Sequence, residues 1–310
     1  MKRGLREEVS MRCHGMSRVL VVAGSLIAAT LPGAVKAQTL AWAPSLDTIL
    51  GRAGAMQSGG LYKFSLPRSD LSVIIGDIKL KPALALGSWI GFLPAGTADA
   101  LVMGDLVLTE TEIGPVMRAL QQGGVEQTAL HNHLRGESPH VMYMHIMGNG
   151  KPEAIARAIH AALALTGTPA AAGTPAPPAA IDLDTAAIVR ILGQTGKLNG
   201  VVYQETIPRA EVIRMAGQVI PPSMGVATAI NFQPTSAGHA VATGDFVLLG
   251  SEVNGVIRAL RSHDIEVTAL HSHMLDESPR LYFMHFWGDG ETGAVARGLR
   301  AALDVTNRSK

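Results

Sequence analysis

The strongest hydropathy signals in this chain occur twice. Asp105-Leu-Val-Leu108 and Asp245-Phe-Val-Leu-Leu249 read as strands. After the first, Ile113, Val116, Met117 and Leu120 recur at three- and four-residue spacing and predict a helix with one apolar face; Val253, Val256, Ile257 and Leu260 repeat it. Thr109 and Glu112 have the spacing of a capping box, and Gly123-Gly124 closes the helix. Alternation from Val125 to His133 predicts a strand with Val125, Ala129, His131 and His133 on one face. A further strand is expected over 141–147, then a helix over 152–163 with Ile155, Ala158, Ile159 and Ala162 inward. The segments upstream, about 60–104 and 201–243, look like short strands between Gly/Pro turns. Each copy therefore reads as α+β, with a β-rich N-terminal half and a β-α-β-β-α C-terminal half.

The recurrence is a duplication. Residues 128–148 match 268–288 at eleven of twenty-one positions with a constant offset of 140. Gly104-Asp105 aligns with Gly244-Asp245, Arg118-Ala-Leu120 with Arg258-Ala-Leu260, and Tyr62 and Pro67-Arg68 with Tyr203 and Pro208-Arg209. Between the copies, residues 166–180 hold four prolines and no charge, the composition of a semi-extended linker. We expect a repeat domain over 38–165, the linker over 166–180 and a second repeat domain over 181–310, the two packed as a pseudo-two-fold pair.

Lys2, Arg3, Arg6, Arg12 and Arg18 precede an apolar run from Val19 to Leu31, which Pro32-Gly33 breaks before Val35-Lys-Ala37. This is the layout of a cleaved signal peptide over 1–37, and the run is shorter than the roughly 20 residues of a membrane span. The expected location is periplasmic or secreted, with no stable membrane span once the leader is removed. The single cysteine, Cys13, lies in the leader, which excludes disulfides and thiolate chemistry from the remainder. Hydrophobic residues at 47% supply a core, and a net charge of +1 gives no basis for nucleic-acid binding.

The candidate chemistry is a histidine set that both copies retain. His131 and His133 share a strand face, Glu137 follows in a Gly/Pro turn, and His145 lies on the next strand; His271, His273, Glu277 and His285 repeat them. Six of the eleven histidines fall in this set, whereas His14, His140, His160, His239 and His263 have no histidine counterpart. Neutral imidazoles with a carboxylate suit a divalent transition metal such as Zn, Mn, Fe, Ni or Cu. If 134–139 were a plain six-residue loop, His145 would pair with Thr128 and face away from His131 and His133; a nine-residue loop or a bulge would bring it back. Ser138 and Ser278, each before a proline, read as turn residues, and Asp105 and Asp245 as turn or capping residues at strand starts.

The spacing His-x-His-x-x-x-Glu is similar to the first metal motif of cupins, although the predicted helices do not fit a plain cupin barrel. The block from Gly104-Asp105 through Thr128-Ala-Leu-His-Asn-His, Glu137-Ser-Pro and Met144-His145 to Gly148 resembles the bacterial LppY and LpqO lipoprotein homologues. That resemblance covers both repeats and implies an exported protein without an established activity; this chain lacks their lipidation cysteine after the leader. The leading expectation is an exported metal-binding protein with one site per repeat or one where the repeats meet. Its alternatives are a metal-dependent periplasmic hydrolase or oxidoreductase using Glu137 or Glu277 as general base, and a metal-free module that binds a small polar ligand.

Overall fold

A computed structural model describes residues 40–170 and 181–309. The expected signal peptide over 1–37 and positions 171–180 of the expected linker lie outside the described residues. The fold mixes helices and sheets, with seven α-helices among the described residues.

The first repeat runs α1 (Ala43–Leu50), β1 (Ala55–Met56), β2 (Tyr62–Pro67), β3 (Ile74–Ile75), β4 (Ile78–Lys79), α2 (Pro82–Ala85), β5 (Gly87–Ala95), β6 (Asp99–Thr109), α3 (Glu110–Gln122), β7 (Glu126–His131), β8 (Glu137–Ser138), β9 (Val141–Gly150) and α4 (Pro152–Leu163). The second runs α5 (Thr185–Leu192), β10 (Lys197–Asn199), β11 (Val202–Pro208), β12 (Arg214–Met215), β13 (Gln218–Val219), β14 (Ala227–Ser236), β15 (His239–Leu248), α6 (Val253–Arg261), β16 (Glu266–His271), β17 (Tyr282–Glu291) and α7 (Thr292–Leu303). Each repeat forms a six-stranded antiparallel sheet, in the orders β1-β2-β5-β6-β9-β7 and β10-β11-β14-β15-β17-β16.

Strand parity separates two kinds of core. On β6, Val102, Leu106 and Leu108 join Leu46, Val116 and Ile159 beneath the helices of the first repeat. The residues between them turn the other way: Leu101 and Met103 pack with Met224, Val247 and Phe283 of the second repeat, and Val107 and Tyr143 with Val202 and Val241. The second repeat mirrors this, with Phe246, Met284 and Phe286 under its helices. The two sheets thus face each other and each is covered by its own helices.

This double burial explains a departure from the sequence expectation. The upstream segments hold the expected short strands in β3, β4, β12 and β13, 2 residues each, but also long ones: β5, β6, β14 and β15 are 9, 11, 10 and 10 residues long. A strand covered on both faces is apolar throughout, so its alternation disappears. The helices α1 and α5 also go unannounced, being only 8 residues each.

Polar side chains fasten the sheets together. Gln233 Oε1 accepts from the Lys81 N–H (2.8 Å) and its Nε2 donates to Lys79 O (3.0 Å). Gln204 and Asn231 donate to Ala83 O and Leu84 O. Within each repeat a buried arginine ties three segments. Arg68 donates to Val107 O (2.6 Å), to Glu112 (2.8 and 3.0 Å) and to Asp70 (2.8 and 2.9 Å). Arg209 does the same with Val247 O, Glu252 and Glu211. Glu112 also accepts the Thr109 N–H, so the helix cap and the ion pair share one carboxylate.

Glu205 is out of place. It sits on the helix-facing side of β11, where the first repeat has Phe64, fully buried and with both carboxylate oxygens lacking a partner. Burial pushes its carboxyl up to about 7.

Two outcomes follow. Arg68→Ala leaves the Glu112 carboxylate without its cation, and Arg209→Ala does so for Glu252; each is expected to cost about 3–5 kcal/mol in chemical denaturation. Because the folded pKa of Glu205 lies above its ordinary value of 4.5, the unfolded chain releases this proton first. The stability it contributes is complete below that ordinary value and is lost as pH rises through about 7. Glu205→Gln is therefore expected to raise Tm at pH 8 while leaving Tm at pH 4 nearly unchanged; equal shifts at both pH values would contradict this.

Candidate metal centre

The inward parity of the sheets delivers the histidines. On β6 and β9, Asp105 pairs directly with His145, so both point at the second repeat. On β15 and β17, Asp245 pairs with His285 in the same way. The outer strand β7 supplies His131 as its last residue, and the chain continues to His133.

The β7–β9 ladder decides whether these side chains meet. It begins with Glu126 opposite Met147 and Gln127 opposite Ile146, a register that would place Thr128 opposite His145. A bulge intervenes, and Ala129 takes that place, with His131 opposite Tyr143. The one-residue shift turns His131 and His145 to a common face. β16 shifts identically between Val267 and Ala269.

All six histidines consequently converge between the sheets. Across the repeats, ring centroids lie 3.5 Å apart for His131 and His271, 3.7 Å for His133 and His285, and 3.7 Å for His145 and His273. Within a repeat, His131 lies 5.0 Å from His133 and 5.1 Å from His145. Tyr143 stacks on His133 at 3.3 Å and Phe283 on His273 at 3.5 Å, fixing those ring planes from outside. His131, His145, His273 and His285 are at most 8% exposed.

The polar atoms of this cluster lack the partners that burial demands. Both nitrogens of His131, and Nε2 of His133, His145, His271, His273 and His285, are buried without a hydrogen bond, as are Oδ1 of Asp105 and of Asp245. Asp105 lies 3.9 Å from His133 Nε2 and 3.8 Å from His145 Nε2, too far for a hydrogen bond. Asp245 lies 3.9 Å from His273 Nε2 and 4.0 Å from His285 Nδ1, which instead pairs with Gly244 O at 2.9 Å. Donor atoms of a tetrahedral ion with bonds of about 2.1 Å stand about 3.4 Å apart, so small side-chain rotations would suffice to close on one.

Burial and the neighbouring imidazoles hold His131, His133, His145 and His273 far below the ordinary histidine range. Burial lowers His271 to about 4 and His285 to about 3. The rings are thus neutral near pH 7 and offer lone pairs. Burial raises Asp105 to about 8 and Asp245 well above its usual range, the latter helped by Asp105 itself. A carboxyl in that state ionises readily only against a cation.

Histidine nitrogens fall into two groups able to hold an ion, His131 with His271, His273 and His285, and His131 with His133 and His145. Neither contains Glu137 or Glu277, nor Asp105 or Asp245. Glu137 Oε1 takes His140 Nδ1 at 2.6 Å and the Val141 N–H at 3.4 Å; Glu277 accepts from the Leu281 N–H at 2.8 Å and from Arg280 at 3.4 Å. Both glutamates therefore brace their own loops. Ser138 and Ser278 stand there too, each before a cis proline. The aspartates are what sequence reasoning missed. Asp105 and Asp245 lie inside long strands, not at strand starts or turns, and their retention in matched Gly-Asp pairs was the available signal.

A family model described as Domain of Unknown Function (DUF1259) matches residues 44–165 and again 186–305. The chain belongs to this family. No curated protein sequence matches it. Among solved structures, the trimeric bacterial microcompartment shell protein PduB is 15% identical, with 82% of this chain and 89% of that chain covered at a TM-score of 0.23. EtuB from Clostridium kluyveri is 12% identical over 81% of this chain and 88% of that one, at 0.19. Superpositions of this quality do not establish a shared fold.

The bulge also joins the repeats. Thr268 Oγ1 donates to His133 O at 2.5 Å, and Thr268 O accepts from Asn132 at 3.3 Å, while Thr128 makes no such side-chain bond among the described residues. Thr268→Val is expected to cost about 1 kcal/mol by removing the part-buried hydrogen bond to His133 O. Thr128→Val should cost clearly less; equal losses in chemical denaturation would show that the cross-repeat bond contributes nothing.

Proposed function

We propose that this chain is an exported metal-binding protein whose two DUF1259 repeats form a pseudo-two-fold pair and bind divalent transition metal in one centre between them. The observation that carries this reading is the set of seven partnerless imidazole nitrogens held inside a sheet–sheet interface. Bound cations would give these nitrogens partners, and neutral nitrogen donors favour Zn, Fe, Co, Ni or Cu over Mg or Ca. The ligands are His131, His133, His145, His271, His273 and His285, with the two aspartates adjacent. The reciprocal 3.7 Å contacts of His133 with His285 and of His145 with His273, about the His131–His271 pair, support the two-fold relation. Export is supported by the leader pattern over 1–37 and by the resemblance to the LppY and LpqO homologues. No helix among the described residues is long and apolar enough to cross a membrane.

Protein purified without a histidine tag is expected to contain transition metal by elemental analysis. Stripping it with a chelator should lower Tm, and zinc or cobalt should restore it, since a ligand at a thousandfold excess over Kd adds about 4 kcal/mol of stability. His131→Ala, which touches both histidine groups, should weaken retention more than His145→Ala. N-terminal sequencing of the exported protein should begin at Gln38. Absence of bound metal, with no thermal shift from any divalent transition ion, would sink the metal reading.

A further inference from the structure

The centre has more donors than one ion can use. Six imidazoles and two carboxylates surround it, whereas a first-row ion takes about four to six ligands. These donors also do not converge on one point. The nitrogens that lie within 4.8 Å of one another form two separate sets, and only His131 belongs to both. A single ion in either set leaves buried donors of the other unsatisfied.

The carboxylates divide in the same way. Asp105 stands 3.9 and 3.8 Å from Nε2 of His133 and His145; Asp245 stands 3.9 Å from His273 Nε2 and 4.0 Å from His285 Nδ1, whose pairing with Gly244 O leaves Nε2 of that ring as its donor. Each aspartate has a buried Oδ1 without a partner, and Asp105 is 6% exposed. One buried carboxylate per ion would also neutralise half the charge that each ion brings between the sheets.

Resting on the metal-binding reading above, we infer that the centre is binuclear. One divalent ion is held by Asp105, His133 and His145, and the other by Asp245, His273 and His285. His131 has both ring nitrogens without partners, and its ring centroid sits 5.1 Å from that of His145 and 5.3 Å from that of His285, which places it to serve either ion. Its counterpart His271, stacked on it at 3.5 Å, presents Nε2 to the second set. Asp105 and Asp245 are thus assigned as metal ligands, one in each half.

The test is a titration of the metal-stripped, tag-free full chain with cobalt(II), followed by its visible absorption and by elemental analysis after desalting. The expected saturation is two ions per chain. Asp105→Asn and Asp245→Asn should each reduce saturation to one, with the circular dichroism spectrum preserved. Saturation of the parent protein at one ion would overturn the binuclear assignment while leaving metal binding intact. No cobalt bound would overturn both. Two ions retained in both aspartate variants would remove the aspartates from the ligand set. The parent stoichiometry decides the ion count even if a variant fails to fold.

Discussion

Nine polar atoms, seven imidazole nitrogens and two carboxylate oxygens, are enclosed between two sheets without partners, and the packing of the repeats is built around them. Apolar contacts around the cluster, from Leu101, Met103 and Val107 against Met224, Val241 and Phe283, close the interface about them. Bound cations would give these atoms the partners that burial demands.

The helices contribute by position, not by chemistry. They cover the outer face of each sheet, so on the long central strands β6 and β15 buried residues of one parity belong to a repeat's own core and those of the other parity to the interface. Asp105 and His145 lie on the interface parity of two adjacent strands. Arg68 and Arg209 lock the ends of β6 and β15 to the following helices, holding fixed the strands that carry the aspartates.

The duplication keeps its histidines and aspartates while the scaffold around them diverges, up to the edge of the site. Tyr143 donates its hydroxyl to Ala85 O where the second repeat has Phe283. His140 pairs with Glu137 where Arg280 pairs with Glu277. The histidines and aspartates themselves do not differ. The chemistry is therefore duplicated, while the scaffolding has been free to change.

By itself the sequence determined the duplication, the helices α3, α4 and α6, and the pairing of His131 with His133 and of His271 with His273, because these depend on local periodicity. It also singled out the six histidines by their matched positions. It did not determine that the two sets meet, since no local pattern encodes which sheet faces pack together. Glu137 shows the reverse case: adjacent in sequence to the histidines, it braces its own loop. Asp105 is distant in sequence yet stands opposite His145. The decisive step was a one-residue bulge at Thr128, which reverses the facing of everything beyond it. Bulges answer to the whole sheet and its packing, so the facing of His131 toward His145 was left to the tertiary structure.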